Sequence, residues 1–185
     1  MLADRAFYEN SGGGVTLSGG ECLLQADFCA ALLARLKAEG VRTAVDTSGA
    51  VPRKALMKVL PYTDVFLYDL KAMEPTLHEK LTWRRNEDIL ENLRFLSESG
   101  ARIEIRIPLV RGYNDGDVPA MAEFLRGLRG VIRVRVLAYH DLARSKYESL
   151  DLPDTMPRTH TGKEDVDRAV GILRKAGVPA VSSLE

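Results

Sequence analysis

Two hydrophobic periods alternate along the chain. Short apolar or β-branched runs that end in polar or glycine-rich turns are followed by stretches with apolar residues three and four apart. Gly14–Ser18 reads as a strand entering the tight loop Gly19-Gly20. Phe28, Leu32, Leu33 and Leu36 recur at helical spacing and predict an amphipathic helix over 24–39, closed by Gly40. The same reading gives a strand at Val41–Thr47, a short helix at Pro52–Pro61 and a strand at Asp64–Leu70. Helices follow at Glu74–Leu81 and Glu87–Ser99, the second carrying Ile89, Leu90, Leu93 and Leu96. Ile103–Val110 is a strand, Arg111–Gly116 a loop, and Val118–Leu128 a helix with Asp117 as its N-cap. Val131–Ala138 is a strand, and the polar stretch 141–162 with Pro153 and Pro157 is a long loop. Thr161 and Glu164 have capping-box spacing for a last helix over 163–176, and Pro179–Ser182 closes the chain as a short strand.

Strand–helix alternation predicts an α/β fold with parallel strands. The strand faces select the kind of sheet. In Ile103–Pro108 the isoleucines lie on one face, and Glu104 and Arg106 on the other. In Val131–Val136 the apolar face is Ile132, Val134 and Val136, opposite Arg133 and Arg135. A parallel sheet covered on both sides is apolar on both, and unpaired buried charges cost several kcal/mol, roughly, each. The alternation predicts a barrel or half-barrel with a wet, charged interior. Exposed strands at a sheet edge are the alternative.

Length and composition fit one globular domain, residues 1–185. Of 185 residues 45% are hydrophobic and 28% charged, which excludes a disordered or fibrous chain. Lys+Arg and Asp+Glu balance at 26 each, so no excess of positive charge points to nucleic acid or an anionic membrane. No apolar run is long enough to span a bilayer. Two cysteines make no disulfide framework, and free thiols fit a reducing cytoplasm.

Ligands of parallel α/β proteins bind at the C-terminal ends of the strands. Those ends deliver Ser18-Gly19-Gly20-Glu21, Asp46-Thr47-Ser48-Gly49, Asp69 with Lys71, Arg106 with the loop Gly112–Gly116, and Tyr139-His140-Asp141. Taken singly each has a structural reading. The glycines serve turns, Asp46 caps a loop, Asp69 pairs with Lys71, Arg106 pairs with Glu104, and His140 is a hydrogen-bonded structural histidine. At successive strand ends they make a candidate site. Cys22 and Cys29 imitate an iron–sulfur spacing without its middle cysteine. Two thiolates do not hold a 4Fe-4S cluster, so both are read as small core residues.

The stretch Tyr8–Glu21 resembles the glycyl-radical-enzyme activating proteins of the radical S-adenosylmethionine (SAM) superfamily, the pyruvate formate-lyase activating type. Asp46-Thr47-Ser48-Gly49, Asp69-Leu70-Lys71, Ile105-Arg106, the Gly112-Tyr113-Asn114-Asp115 loop and Tyr139-His140 extend the likeness over nearly the whole chain. The resemblance implies a partial (β/α)6 TIM-like half-barrel without its first βα unit. It implies that Gly19, Gly20 and Glu21 bind the amino group of SAM, that Asp46, Asp69, Lys71, Arg106 and His140 surround the cofactor, and that Asp46, Thr47 and Asp69 hold a monovalent cation. It also implies a reaction: one-electron reduction of SAM by a 4Fe-4S cluster yields a 5′-deoxyadenosyl radical, which takes a hydrogen from a glycine of a partner glycyl radical enzyme. A flavodoxin-like or other one-electron donor supplies the electron. The family's CxxxCxxC motif is absent, so this chain alone is expected to be inactive. A catalytically dead SAM- or protein-binding module of the same fold is the alternative. An unrelated α/β enzyme with a phosphate at a helix N-terminus is disfavoured, because neither GxxxxGK[ST] nor a well-placed GxGxxG occurs.

Overall fold

A computed structural model describes Tyr8, residues 10–139 and residues 158–184. Six strands form one sheet: β1 (Gly14–Leu17), β2 (Arg42–Thr47), β3 (Val65–Asp69), β4 (Ile103–Leu109), β5 (Val131–Ala138) and β6 (Ala180–Ser182). Every neighbouring pair is parallel, and the spatial order is the chain order. Between the strands run α1 (Ala26–Ala38), α2 (Arg53–Val59), α3 (Pro75–Thr82), α4 (Glu87–Glu98), α5 (Val118–Arg126) and α6 (Lys163–Lys175).

This order determines where the helices go. Crossovers between parallel strands are right-handed. Because the strand order never reverses, each crossover lands on the same side of the sheet. One face is then covered by helices and the other is left open. Burial follows that rule: Val45, Phe66, Tyr68, Ile103, Ile105, Ile107, Val134 and Val136 are buried, and the alternate residues of β2, β3 and β4 are partly exposed. The result is the half-barrel expected from the sequence, and not a doubly wound sheet.

Four local expectations are corrected. Phe28 is exposed, because the buried stripe of α1 is Cys29, Leu33 and Leu36 at i, i+4 and i+7, and Phe28 stands outside it. Ile132 is 41% exposed. The register slips between β4 and β5, with Ile103 opposite Val131 but Glu104 opposite Arg133, so a bulge turns Ile132 out and the apolar face begins at Val134. Asp117 occupies the N-cap position of α5 without a side-chain cap bond; its carboxylate accepts from the backbone N–H of Met73 and, at 3.4 Å, of Glu74. The cap of α6 is Gly162, whose N–H donates to Asp165 at 3.1 Å. Thr161 instead donates to Leu109 O at 2.8 Å and accepts from Arg111 N at 3.2 Å.

Candidate functional site

Arg106 lies at the centre of the open face. Register places Asp69 of β3 directly beside it, and Asp46 of β2, level with Leu67, lies on the same face on the diagonal. The guanidinium donates from Nε to Asp69 Oδ1 at 2.9 Å and from Nη1 to Asp46 Oδ2 at 3.1 Å, while Nη2 contacts Oδ1 of both carboxylates. Lys71 Nζ donates to the free Oδ2 of Asp69 at 2.9 Å. Each of these four side chains is about a fifth to a third exposed, so the cluster is reachable from solvent. Burial alone would discourage the charge on Arg106. The hydrogen bonds and charges of Asp46 and Asp69 outweigh it and raise the guanidinium's pKa.

Glu104 has a different partner from the one the sequence suggested. Its carboxylate binds Arg135 Nε at 3.0 Å and Arg133 at 3.6 Å, further along the same open face. Arg106 is thereby committed to the two aspartates.

The Gly19-Gly20 loop is tied to this cluster at two points. Ser18 Oγ donates to Asp46 Oδ2 at 2.9 Å. Glu21 accepts from Thr47 Oγ1 at 2.9 Å, Ser48 N at 3.0 Å and Ser48 Oγ at 2.8 Å, and also from Leu23 N at 3.3 Å. Glu21 thus clips the end of β1 to the end of β2. Gly19 has φ +140, in the region that favours glycine, and a Cβ at Gly19 or Gly20 would meet nothing within 4 Å. Both line a cavity of about 380 Å³ with Ser18, Glu21 and Cys22. A second cavity of about 230 Å³ lies between Ser48, Asp69, Lys71, His78 and Arg84.

Of the residues the sequence groups, Asp46, Asp69, Lys71 and Arg106 form one contact network, while Gly19 and Gly20 stand at the neighbouring end of β1 and Glu21 turns its carboxylate to Thr47 and Ser48. Thr47 is buried with its hydroxyl turned to Glu21 and to the N–H of Gly49, on the opposite face from Asp46. His140 lies outside the described residues, as do Asp141 and most of the loop 141–162.

Several supporting residues escaped the sequence reading. Asn92 of α4 donates to Gly49 O and Val51 O at 2.9 and 2.8 Å, fixing the turn after Thr47-Ser48. Asn86 donates to Ala72 O and Met73 O at 2.8 and 3.0 Å. Asn114 donates to Lys71 O and Pro108 O. Asn86 before a helix and Asn114 in a glycine-rich loop read as cap or turn residues, and Asn92 as an ordinary position within α4, so nothing at these positions themselves marks the long-range clamps.

The cysteines do not fit a cluster. Cys22 Sγ donates to Leu17 O and Asp46 O at 3.6 and 3.4 Å, and Cys29 Sγ to Cys22 O at 3.2 Å. Burial, with Cys29 and Glu21 nearby, pushes the Cys22 thiol up to about 12, and burial raises Cys29 as well. Two thiols are fewer than a 4Fe-4S cluster requires. Among the described residues no three of His, Cys, Asp and Glu are grouped to hold a metal ion.

Residues 2–125 match the model of the Radical SAM superfamily. The chain is 43% identical over 182 residues to the choline trimethylamine-lyase activating enzyme of Oleidesulfovibrio alaskensis, covering 95% of this chain and 59% of that protein. It is 35% identical over 185 residues to the pyruvate formate-lyase 1-activating enzyme of Escherichia coli K12, covering 96% and 74%. Among solved structures, a domain of pyruvate-formate lyase-activating enzyme from Bacteroides vulgatus superposes with a TM-score of 0.78 at 32% identity, covering 92% of this chain and 99% of that one. The chain spans between 48% and 59% of the length of four of the curated relatives it matches.

Proposed function

The chain belongs to the radical SAM superfamily, and on that premise we propose that it supplies the SAM-binding face of an activating enzyme for a glycyl radical enzyme. The observation that carries this reading is the joining of Asp46, Asp69, Lys71 and Arg106 into one contact network beside the bare Gly19-Gly20 backbone.

The donor set suits SAM. At neutral pH the ligand carries a sulfonium, an ammonium and a carboxylate, a net charge of about +1 by counting groups. Here Asp46 and Asp69 stand against Lys71 and Arg106, so the open face offers both carboxylates and cations to a ligand that carries both signs, while Glu21 is turned to Thr47 and Ser48. Gly19 and Gly20 offer bare backbone for the ammonium, and Lys71 is a cation for the carboxylate beside it. When bound, SAM supplies the radical chemistry of the superfamily, and the protein's part is to orient it and keep water away. His140 is proposed as a further residue around the nucleoside, and Asp46 with Asp69 as neighbours of a monovalent cation.

Cys22 and Cys29 do not fit a 4Fe-4S cluster, which needs three or four thiolates. The part proposed for this chain is the binding of SAM. The open inner face of the half-barrel suits entry of a polypeptide segment, in keeping with a glycyl radical enzyme as the partner. A flavodoxin-like protein suits the role of electron donor. Both cysteines are free thiols, in keeping with a reducing compartment such as the cytoplasm.

The test is calorimetric titration of the chain with SAM and with 5′-methylthioadenosine, which keeps the nucleoside but lacks the amino-acid end. SAM is expected to bind at least about tenfold tighter, a difference of about 1.4 kcal/mol. Equal affinities would show that the charged cluster does not recognise the amino-acid end.

A further inference from the structure

Parallel strands β3 and β4 part company at the position that matters most for Lys71. Their last backbone bond runs from Leu70 N–H to Arg106 O at 2.9 Å. The next residue of β4 that could donate toward β3 is residue 108, which is proline and has no N–H. The ladder therefore stops, and Lys71, two residues beyond the last residue of β3, is left without a strand to hold it.

Asn114 takes over at that point. It is 1% exposed. Its Nδ2 donates to Lys71 O at 2.7 Å and to Pro108 O at 2.8 Å, and its Oδ1 accepts from Val110 N–H at 2.7 Å. One proton of the amide goes to Pro108 O, the carbonyl next in line toward β3 after Arg106 O, and the other to Lys71 O just past the end of the ladder. Asn86 and Asp117 hold the residues that follow, at Ala72, Met73 and Glu74. Asn114 holds the carbonyl of Lys71 itself.

We infer that Asn114 is a positioning residue for Lys71: it ties the Lys71 carbonyl to the end of β4 just past the point where the ladder stops, and so fixes where the Lys71 ammonium stands against Asp69 and any ligand. The side chain belongs to a glycine-rich loop, yet it points into the protein and acts on the neighbouring strand end. Only the ligand-binding part of the test below rests on the SAM reading.

Asn114→Asp is the informative change. It keeps the acceptor for Val110 and the shape of the side chain, but removes both donors and sets a carboxylate against two carbonyls. With lysines reductively methylated with 13C, and the Lys71 signal assigned from Lys71→Arg, NMR reads the ammonium directly. In Asn114→Asp the Lys71 signal is expected to move toward that of the solvent-exposed lysines, while the other lysines keep theirs. If that variant does not fold, Asn114→Ala, in which water can reach the carbonyls, is expected to give the same selective shift. An unmoved Lys71 signal in a folded variant overturns the inference. As a second readout, Asn114→Asp should weaken SAM binding about tenfold in the otherwise unaltered chain and not at all when Lys71 is already methionine. Equal loss in both backgrounds also overturns it. If the unaltered chain binds no SAM, the SAM reading fails, and the NMR shift still decides the role of Asn114.

Discussion

Arg106 donates from Nε to Asp69 Oδ1 at 2.9 Å, across the β3–β4 register that sets the two residues side by side. The same guanidinium reaches Asp46 one strand further on. Without it, two carboxylates on adjacent strands would face each other with only Lys71 to offset them. Arg106→Met is therefore expected to destabilise the chain by about 3 kcal/mol, the cost of leaving partly buried charges unpaired. Arg106→Lys restores the charge but not the fork that spans both aspartates, and should recover only part of that loss. Urea unfolding of the three proteins checks the order. Equal midpoints for Arg106→Met and the unaltered chain would show that the bridge contributes nothing.

Gly49 follows the Asp46-Thr47-Ser48 segment with φ +73, and a Cβ there would overlap Oη and Cζ of Tyr68. Tyr68 cannot yield easily: it is fully buried and its hydroxyl donates to Ile89 O at 2.7 Å. Gly49→Ala combines a left-handed penalty with overpacking, so a loss of about 3 kcal/mol is expected. Differential scanning calorimetry measures it, and an unchanged melting temperature would mean the turn relaxes freely.

His78 gives the fold a sensitivity to acid. Its Nδ1 lies 2.6 Å from Arg84 O, which can only accept, so Nδ1 carries the proton of a neutral ring. Burial lowers its pKa below the ordinary 6.5, helped by the charges of Lys71 and Arg84 and opposed by the bond to Arg84 O. The unfolded chain takes up a proton near pH 6.5 that the folded chain refuses until lower pH. Stability should therefore fall as pH drops below 6.5 and level off beneath the lowered folded value. His78→Asn removes the titrating group, and the slope of unfolding free energy against pH in that window should shrink. Superimposable slopes would exclude His78 as the source.

Cys22 and Cys29 predict a negative result that has content. Their thiols are engaged with backbone carbonyls and held protonated, and they number two. Incubation of the chain with iron, sulfide, reductant and SAM should leave no stoichiometric iron or acid-labile sulfide on the protein and give no 5′-deoxyadenosine above a protein-free control. Turnover above that control would contradict the assignment.

The half-barrel was legible because Glu104 and Arg106 alternate with isoleucines in β4, a pattern that one covered face and one open face produce. The site was legible because topology sends strand ends to one place, so Asp46, Asp69, Lys71 and Arg106 could be grouped without coordinates. What was hidden depends on register and on distant contacts. The bulge that exposes Ile132 has no local sequence mark, and Glu21 read as a ligand residue although much of its carboxylate is used on Thr47 and Ser48. Asn92 and Asn114 act on backbone more than 40 residues away. Pro108 within a central strand was the available clue to Asn114, since it marks where the ladder must break.

If the acidic and basic groups of successive strands form one binding face, Arg106 is its centre, and titration of SAM into the unaltered chain and into Arg106→Met measures its part. Saturable binding at one site, weakened at least about tenfold in the variant, is the expected result. Binding of equal strength in both proteins, or none in the unaltered chain, would contradict it.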